Sequence, residues 1–442
     1  MFRVPKIIVA VRKQPWVVMV VVGLAVFTDM LMYGLAIPVL PHLLEDMVDN
    51  ISLANGMLTG AFAIGLLFGA PLAGWLSDRY RNRQVPMCIG LFALLVATLI
   101  FGVCNAYWQL ILARILQGAA SGASWSVGFS MVADVYPPER AGLAMGAVMG
   151  CNTLGHLSGP TVGGLLYEAG GRHAPFIFGA ALAFMDLLFR IIVGETYYWK
   201  RLYAQYQKNP EQFQECELTP MSTRRMLSHW SVVAALLGSF GVASVMSGVD
   251  PVLPLHLHSR YGLSAGMVGL VFMAMIVPNA IVSPLVGWLI DRFQPNRLLI
   301  MALGLLLVGA VSPIIAIDQA LAAHVVTLVL LGTTLALSIS PITPELLVFM
   351  HKSGSNSYGV VYALFNIAFS IGMFVGPVVA GALYDVVGFL PTMLVMLAVV
   401  VFLALLVGSV EMVKIYKRKR KPDYTAKCRE DTVASDSEGT VE

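Results

Sequence analysis

The sequence predicts an all-α polytopic membrane protein with twelve transmembrane helices in two six-helix pseudo-repeats. Three observations predict this fold. Of 442 residues, 58% are apolar and only 12% charged, whereas a soluble domain carries about 25% charge. Apolar runs of membrane-spanning length recur six times before a polar stretch and six times after it. Three sequence blocks of the first half also return, in the same order, in the second.

The runs lie at about 16–40, 55–76, 86–104, 108–132, 141–168 and 174–194. They resume at about 231–256, 264–290, 298–316, 323–350, 357–384 and 388–412. The chain thus divides into an N-terminal segment 1–15, a bundle 16–194, a polar linker 195–230, a second bundle 231–412 and a disordered tail 413–442. The first run is too long for a cleavable signal and lacks a small-residue cleavage site, so it is expected to be the insertion signal itself.

Lys and Arg set the orientation. Of the 28 in the chain, only Arg172 and Arg260 fall in loops on the side opposite the N-terminus, and Arg114 and Arg190 fall within helices. Both termini are therefore expected in the cytoplasm. The basic tail KRKRKP, Lys417–Pro422, is expected on anionic lipid.

The repeats are explicit. PVLP occurs at Pro38–Pro41 and at Pro251–Pro254, and GWLSDRY at Gly74–Tyr80 returns as GWLIDRF at Gly287–Phe293, both offset by 213. GHLSGPTVGGLLYE at Gly155–Glu168 returns as GMFVGPVVAGALYD at Gly372–Asp385, offset by 217. Parallel halves of this kind place a transport site near the midplane, between them.

Asp29 is the most costly residue of the first helix. It lies roughly 20 Å in from Trp16 at 1.5 Å per residue, and an ionised acid there costs at least about 2.5–3.5 kcal/mol. Proton and organic cation would compete for its one charge, which is exchange by construction. Asp250 precedes the second PVLP and lies about two turns nearer the far side, which suits a second acid in a proton relay. Glu345 follows Pro341 and Pro344, where two prolines should break the helix and leave a place for ion coupling. Asp186 stands four residues before Arg190, on one helical face, and reads as an intrahelical pair. Arg114 is a buried base suited to coupling with Asp29 or another acid. Tyr33, one turn from Asp29, and Tyr358, Tyr362 and Phe365 on one face offer cation–π contacts. Asn152 and His156 share a face one turn apart. Gly155, Gly159, Pro160, Gly163 and Gly164 form a small-residue face for close helix approach.

Several of these motifs resemble a known family. GWLSDRYRNRQ resembles the loop signature of the major facilitator superfamily, with Gly74, Asp78, Arg79 and Arg83 in the matching places. LILARILQG resembles its helix-4 signature through Arg114, Gln117 and Gly118, and GHLSGPTVGG resembles the helix-5 signature of its antiporters. Parallel six-helix halves are the architecture of that superfamily. Within it, FTDMLMYGLAIPVLP, GGLLYEAGGRHAPF, ALAFMD and DPVLPLHL resemble the vesicular amine and acetylcholine transporters, with fungal drug:proton antiporters second. The resemblance implies that Asp29 is the substrate counter-ion and that antiport is the mode. It also implies that Asp78, Arg79 and Arg83 latch the two halves together, with Asp291 and Arg292 as an imperfect second copy. Asn366 stands where the amine transporters carry an aspartate, and the second helix has no lysine where they have one.

The expected function is proton-coupled antiport, exporting an organic cation, amine or lipophilic drug from the cytoplasm. The alternatives are a carrier of another small metabolite or a neutral drug, and a non-transporting sensor with a transporter fold. Five scattered cysteines give no metal spacing, and no nucleophile–base or nucleotide-binding constellation occurs. No enzyme activity, metal, cofactor or nucleic-acid partner is expected. The proton gradient supplies the energy, and the protein is expected to be a monomer in a plasma or acidic organelle membrane.

Overall fold

The computed structural model describes residues 14–193 and 222–420, except 46, 81, 137, 318–319 and 354–357. The predicted N-terminal segment, most of the linker and the end of the tail lie outside the described residues. Among the described residues there is no strand. The first half comprises α1 (Pro15–Ala36), α2 (Ile51–Arg79), α3 (Gln84–Val103), α4 (Tyr107–Val135), α5 (Pro138–Gly170) and α6 (Ala174–Val193). The second comprises α7 (Trp230–Tyr261), α8 (Ala265–Phe293), α9 (Arg297–Val311), α10 (Leu321–Ile339), α11 (Tyr358–Val387) and α12 (Phe389–Arg420).

Ten of the expected intervals hold helices long and apolar enough to cross a membrane. The other two hold α4 and α5, which are as long but carry more polar and small residues. Side chains such as Phe68, Phe92, Trp75, Trp108 and Trp288 point outward, as lipid-facing apolar residues do. Elsewhere that much exposed apolar surface would be a liability.

Local sequence explains the breaks. Pro38 cannot donate a helical hydrogen bond, so α1 stops at Ala36 and a short helix, Leu40–Leu44, follows. The second PVLP behaves differently: α7 runs unbroken through Pro251 and Pro254. Gly262 ends α7 with φ 63, a left-handed turn that any other residue except asparagine resists. The tenth span stops at Ile339 and resumes at Ile342–Ser353, a break at Pro341 of the kind the two prolines predict.

Close helix pairings follow the repeated motifs. Gly155 of α5 sits against the carbonyl of Phe27 in α1, and Gly372 of α11 sits against the carbonyl of Phe240 in α7. Gly159 faces Leu31 and Gly34, while Gly376 faces Ser244. A Cβ on Gly159 would lie 2.6 Å from the Gly34 Cα, so only glycine permits this approach. Phe27 and Phe240, and Leu31 and Ser244, are each 213 residues apart.

The two halves meet mainly through α2 with α11 and α5 with α8. Polar contacts on this seam cluster at the end of the bundle opposite the N-terminus, called here the far end. Asn55 Nδ2 donates to the Pro251 carbonyl at 2.8 Å, and Ser52 Oγ donates to the Gly381 carbonyl at 2.9 Å. Thr161 Oγ1 donates to the Gly269 carbonyl at 2.8 Å, and the Gly266 amide donates to Glu168 at 3.0 Å.

Candidate functional site

At the other, basic end the halves part. A cavity of about 380 Å³ lies between α2, α4 and α5 of the first half and α11 of the second. Trp125, Phe129 and Ser130 of α4 face Tyr362, Asn366 and Ser370 of α11 across it. Each trio follows helical spacing, so one face of each helix lines the space. At the mouth Arg83 Nε donates to Asp134 Oδ2 at 3.1 Å and Arg83 Nη1 donates to Ser77 Oγ at 3.0 Å.

Deeper along α11 a second, small void of about 20 Å³ has room for about one water. Met30, Tyr33, Asn152 and His156 line it from the first half, and Ser247, Asp250, Phe369 and Met373 from the second. The Tyr33 hydroxyl donates to Asp250 Oδ2 at 3.0 Å, bridging the halves. Asp250 is fully buried, and its Oδ1 has no hydrogen-bond partner. A buried carboxylate with one free oxygen favours any cation or proton that reaches it.

Tyr33 is fixed from several sides. Its ring stacks on His156 with centroids 5.5 Å apart and tilts against Phe62 at 5.0 Å. The buried Arg114 guanidinium lies 5.8 Å from the Tyr33 ring and 4.9 Å from the Phe101 ring. Arg114 Nη1 donates to Gln117 Oε1 at 3.3 Å, and Gln117 Nε2 donates to Thr98 Oγ1 at 3.0 Å. Arg114 therefore reaches Asp250 through an aromatic ring.

Asp29 is placed differently from the sequence expectation. It lines neither cavity. It is fully buried inside the first half, facing Ser121 and Ser124 of α4 and Asp186 of α6, and neither carboxylate oxygen completes a hydrogen bond. Asp186 interacts with Arg190 as its spacing predicts, and with Thr28 beside Asp29. Of Asp29 and Asp250, it is Asp250 that lines a space between the halves, the small void.

Other expected residues also have definite places. Asn152 and Tyr33 line the small void, whereas Tyr362 and Asn366 line the large one. Glu345 lies in Ile342–Ser353, where its Oε2 is 3.9 Å from Arg297 Nη1 at the start of α9, away from both cavities. Arg83 binds Asp134 and Ser77 of its own half at the mouth of the cavity. Gly74 packs on Ser126 of α4, while Gly155, Gly159 and Gly163 pack on α1. Pro160 lies within α5, packed on Gly34. Arg79 and Arg292 are exposed at helix ends. The side chains of Asp78, Asp291 and Tyr358 lie outside the described residues.

Sequence reasoning missed Trp125, Phe129 and Ser130. Their signal was present: aromatic and hydroxyl residues repeating on one face of a helix otherwise rich in Ala, Gly and Val. It also missed Asn55, whose place beside the second PVLP depends on the tertiary fold.

A model of the Major Facilitator Superfamily matches residues 22–367. The MFS-type transporter SLC18B1 of Homo sapiens is 30% identical over 76% of this chain and 73% of its own length. The vesicular acetylcholine transporter of Homo sapiens is 30% identical over 76% of this chain, a match that spans 61% of that protein. Among solved structures, the human organic anion transporter MFSD10 superposes with a TM-score of 0.68 at 20% identity, covering 89% of this chain and 99% of that one. That likeness is one of fold.

Proposed function

The chain belongs to the major facilitator superfamily, and from that premise we propose that it is a proton-coupled antiporter exporting an organic cation or amine from the cytoplasm. Membership makes it a multi-pass membrane transporter of a small molecule and not an enzyme. Proton coupling, cationic substrate and direction are our reading.

One observation carries it. Asp250 lines the small void between the halves, deeper along α11 than the large cavity, with Tyr33 holding one oxygen and the other free. A proton and an ammonium group cannot both neutralise that oxygen, so one displaces the other. Trp125, Phe129 and Tyr362 on the approach suit a cation by their ring faces. Asp134 at the mouth is already engaged by Arg83, which leaves Asp250 as the acceptor at depth. The likeness to a protein named for acetylcholine, a quaternary ammonium, supports the same substrate class.

Alternating access follows from the seam. With the basic end cytoplasmic, the cavity is open to the cytoplasm, and hydrogen bonds including the four named above hold the far end shut. Each such bond contributes only about 0.5–1.5 kcal/mol, so the set can open when the basic end closes. A proton arriving from the far side then reloads Asp250. Arg114, stacked over Tyr33, senses the state of Asp250 and helps reset it. Asp29 and Asp186 form a second buried acidic site in the first half, which serves the proton pathway without touching substrate.

The test is uptake of a radiolabelled quaternary ammonium ion into proteoliposomes with an acidic interior. The reading expects accumulation that a protonophore collapses. Uptake indifferent to the pH gradient, or uptake of organic anions only, would overturn it.

A further inference from the structure

The far end of the seam carries a pair of histidines that cation exchange at Asp250 does not use. His42 belongs to the short helix Leu40–Leu44 of the first half, and His258 to the last turn of α7 in the second. Their ring centroids are 5.5 Å apart with planes at 89°. His42 is part-exposed and His258 exposed, so both are reachable from solution.

Each ring is held by its Nδ1. His42 Nδ1 lies 3.3 Å from Glu45 Oε1, and His258 Nδ1 lies 2.9 Å from the Leu263 carbonyl oxygen. A carboxylate and a carbonyl can only accept, so both Nδ1 atoms donate. In the neutral ring this leaves the lone pair on Nε2. Metal-bound histidines are oriented by the same second contact to a carboxylate or carbonyl. Tyr167 of α5 stacks on His42 at 5.5 Å and 8°, which fixes the plane of that ring.

The spacing fits one shared ion. Two imidazoles bound to a tetrahedral zinc at about 2.0–2.1 Å have centroids about 5–5.5 Å apart. Imidazole nitrogen suits zinc, copper and nickel, rather than calcium or magnesium. Among the described residues no three His, Cys, Asp or Glu gather to hold a metal, so an ion held by the two imidazoles would take its remaining ligands from water.

We propose that His42 and His258 form a two-imidazole site for a zinc-class dication that clips the two halves together at the far end. The ion binds only while the two rings are this close, which is the conformation with the far end shut. It therefore holds the transporter open towards the basic end and arrests alternation. The proposal is independent of the substrate and of proton coupling.

Zinc chloride titration of the full-length protein in nanodiscs, followed by calorimetry, tests the site. The native protein should bind one zinc at His42 and His258, and His42→Ala and His258→Ala should each weaken binding by more than about tenfold, with Glu45→Ala costing about tenfold. Without metal, His258→Ala should stay folded, its melting temperature lowered by no more than the loss of the exposed bond to the Leu263 carbonyl. Should His42→Ala fold poorly, His258→Ala alone decides. Amide exchange at 51–55 and 251–258 should slow with zinc in the native protein and not in His258→Ala. Equal zinc affinity in native and His258→Ala protein, or no native binding at millimolar zinc, overturns the site. Zinc binding without slowed exchange overturns the clip.

Discussion

Tyr33 of α1 donates its hydroxyl to Asp250 of α7 at 3.0 Å, joining the two halves at the small void between them. This bond ties the exchange acid to the relative position of the halves. Neutralising or displacing Asp250 changes a contact that spans the seam, so chemistry and conformation are linked through one residue pair.

Tyr33→Phe removes the donor and leaves both oxygens of Asp250 without a partner. A buried acceptor left unsatisfied costs about 1–3 kcal/mol, so the variant should fold with a lower melting temperature. Gradient-driven cation exchange in proteoliposomes should fall roughly tenfold, the equivalent of about 1.4 kcal/mol. Native-like rates would remove Tyr33 from the coupling.

Arg114→Lys keeps the charge and loses the planar group stacked between the Tyr33 and Phe101 rings. Lysine does not reproduce such stacking. Exchange should fall severely while expression and folding survive. If Lys supports full exchange, only the charge matters and the stacking is incidental.

Asn55→Leu deletes the bond to the Pro251 carbonyl and weakens closure of the far end. The population should shift towards the state open on that side. In an otherwise cysteine-free protein, a cysteine at Ser247 should then react faster with a membrane-impermeant thiol reagent from the far side. Unchanged labelling would mean that Asn55 does not hold the seam.

Gly159→Ala places a Cβ 2.6 Å from the Gly34 Cα, against backbone that cannot yield. Overpacking of this kind costs about 1–3 kcal/mol. The folded yield should drop, and a thermal shift assay should show a lower melting temperature. A native melting temperature would show that α1 and α5 can separate at no cost.

Much of the fold was legible. Apolar length located the helices, the proline pair at Pro341 and Pro344 located the break after Ile339, and the glycines of α5 marked a face for close helix approach without naming the helix it meets. The two PVLP copies were not equally readable: the first breaks its helix and the second does not. The site was less legible because helices apolar all round carry almost no signal of which face points where. Asp29 stood out by cost, and that cost is real, but its rotation into the first half depends on neighbours from α4 and α6. The meeting of Tyr33 with Asp250, 217 residues apart, depends on how the halves dock. Glu345 drew attention through its prolines, yet its partner is Arg297, at the start of the preceding span.

The central claim is that proton and organic cation exclude one another at Asp250. It is tested most directly by proton release on adding a quaternary ammonium substrate to detergent-solubilised protein in weakly buffered dye solution. Native protein should release protons as the cation binds, and Asp250→Asn should bind or reject the cation with no release. Undiminished proton release from Asp250→Asn, together with its loss in Asp29→Asn, would contradict the claim and return the exchange role to Asp29.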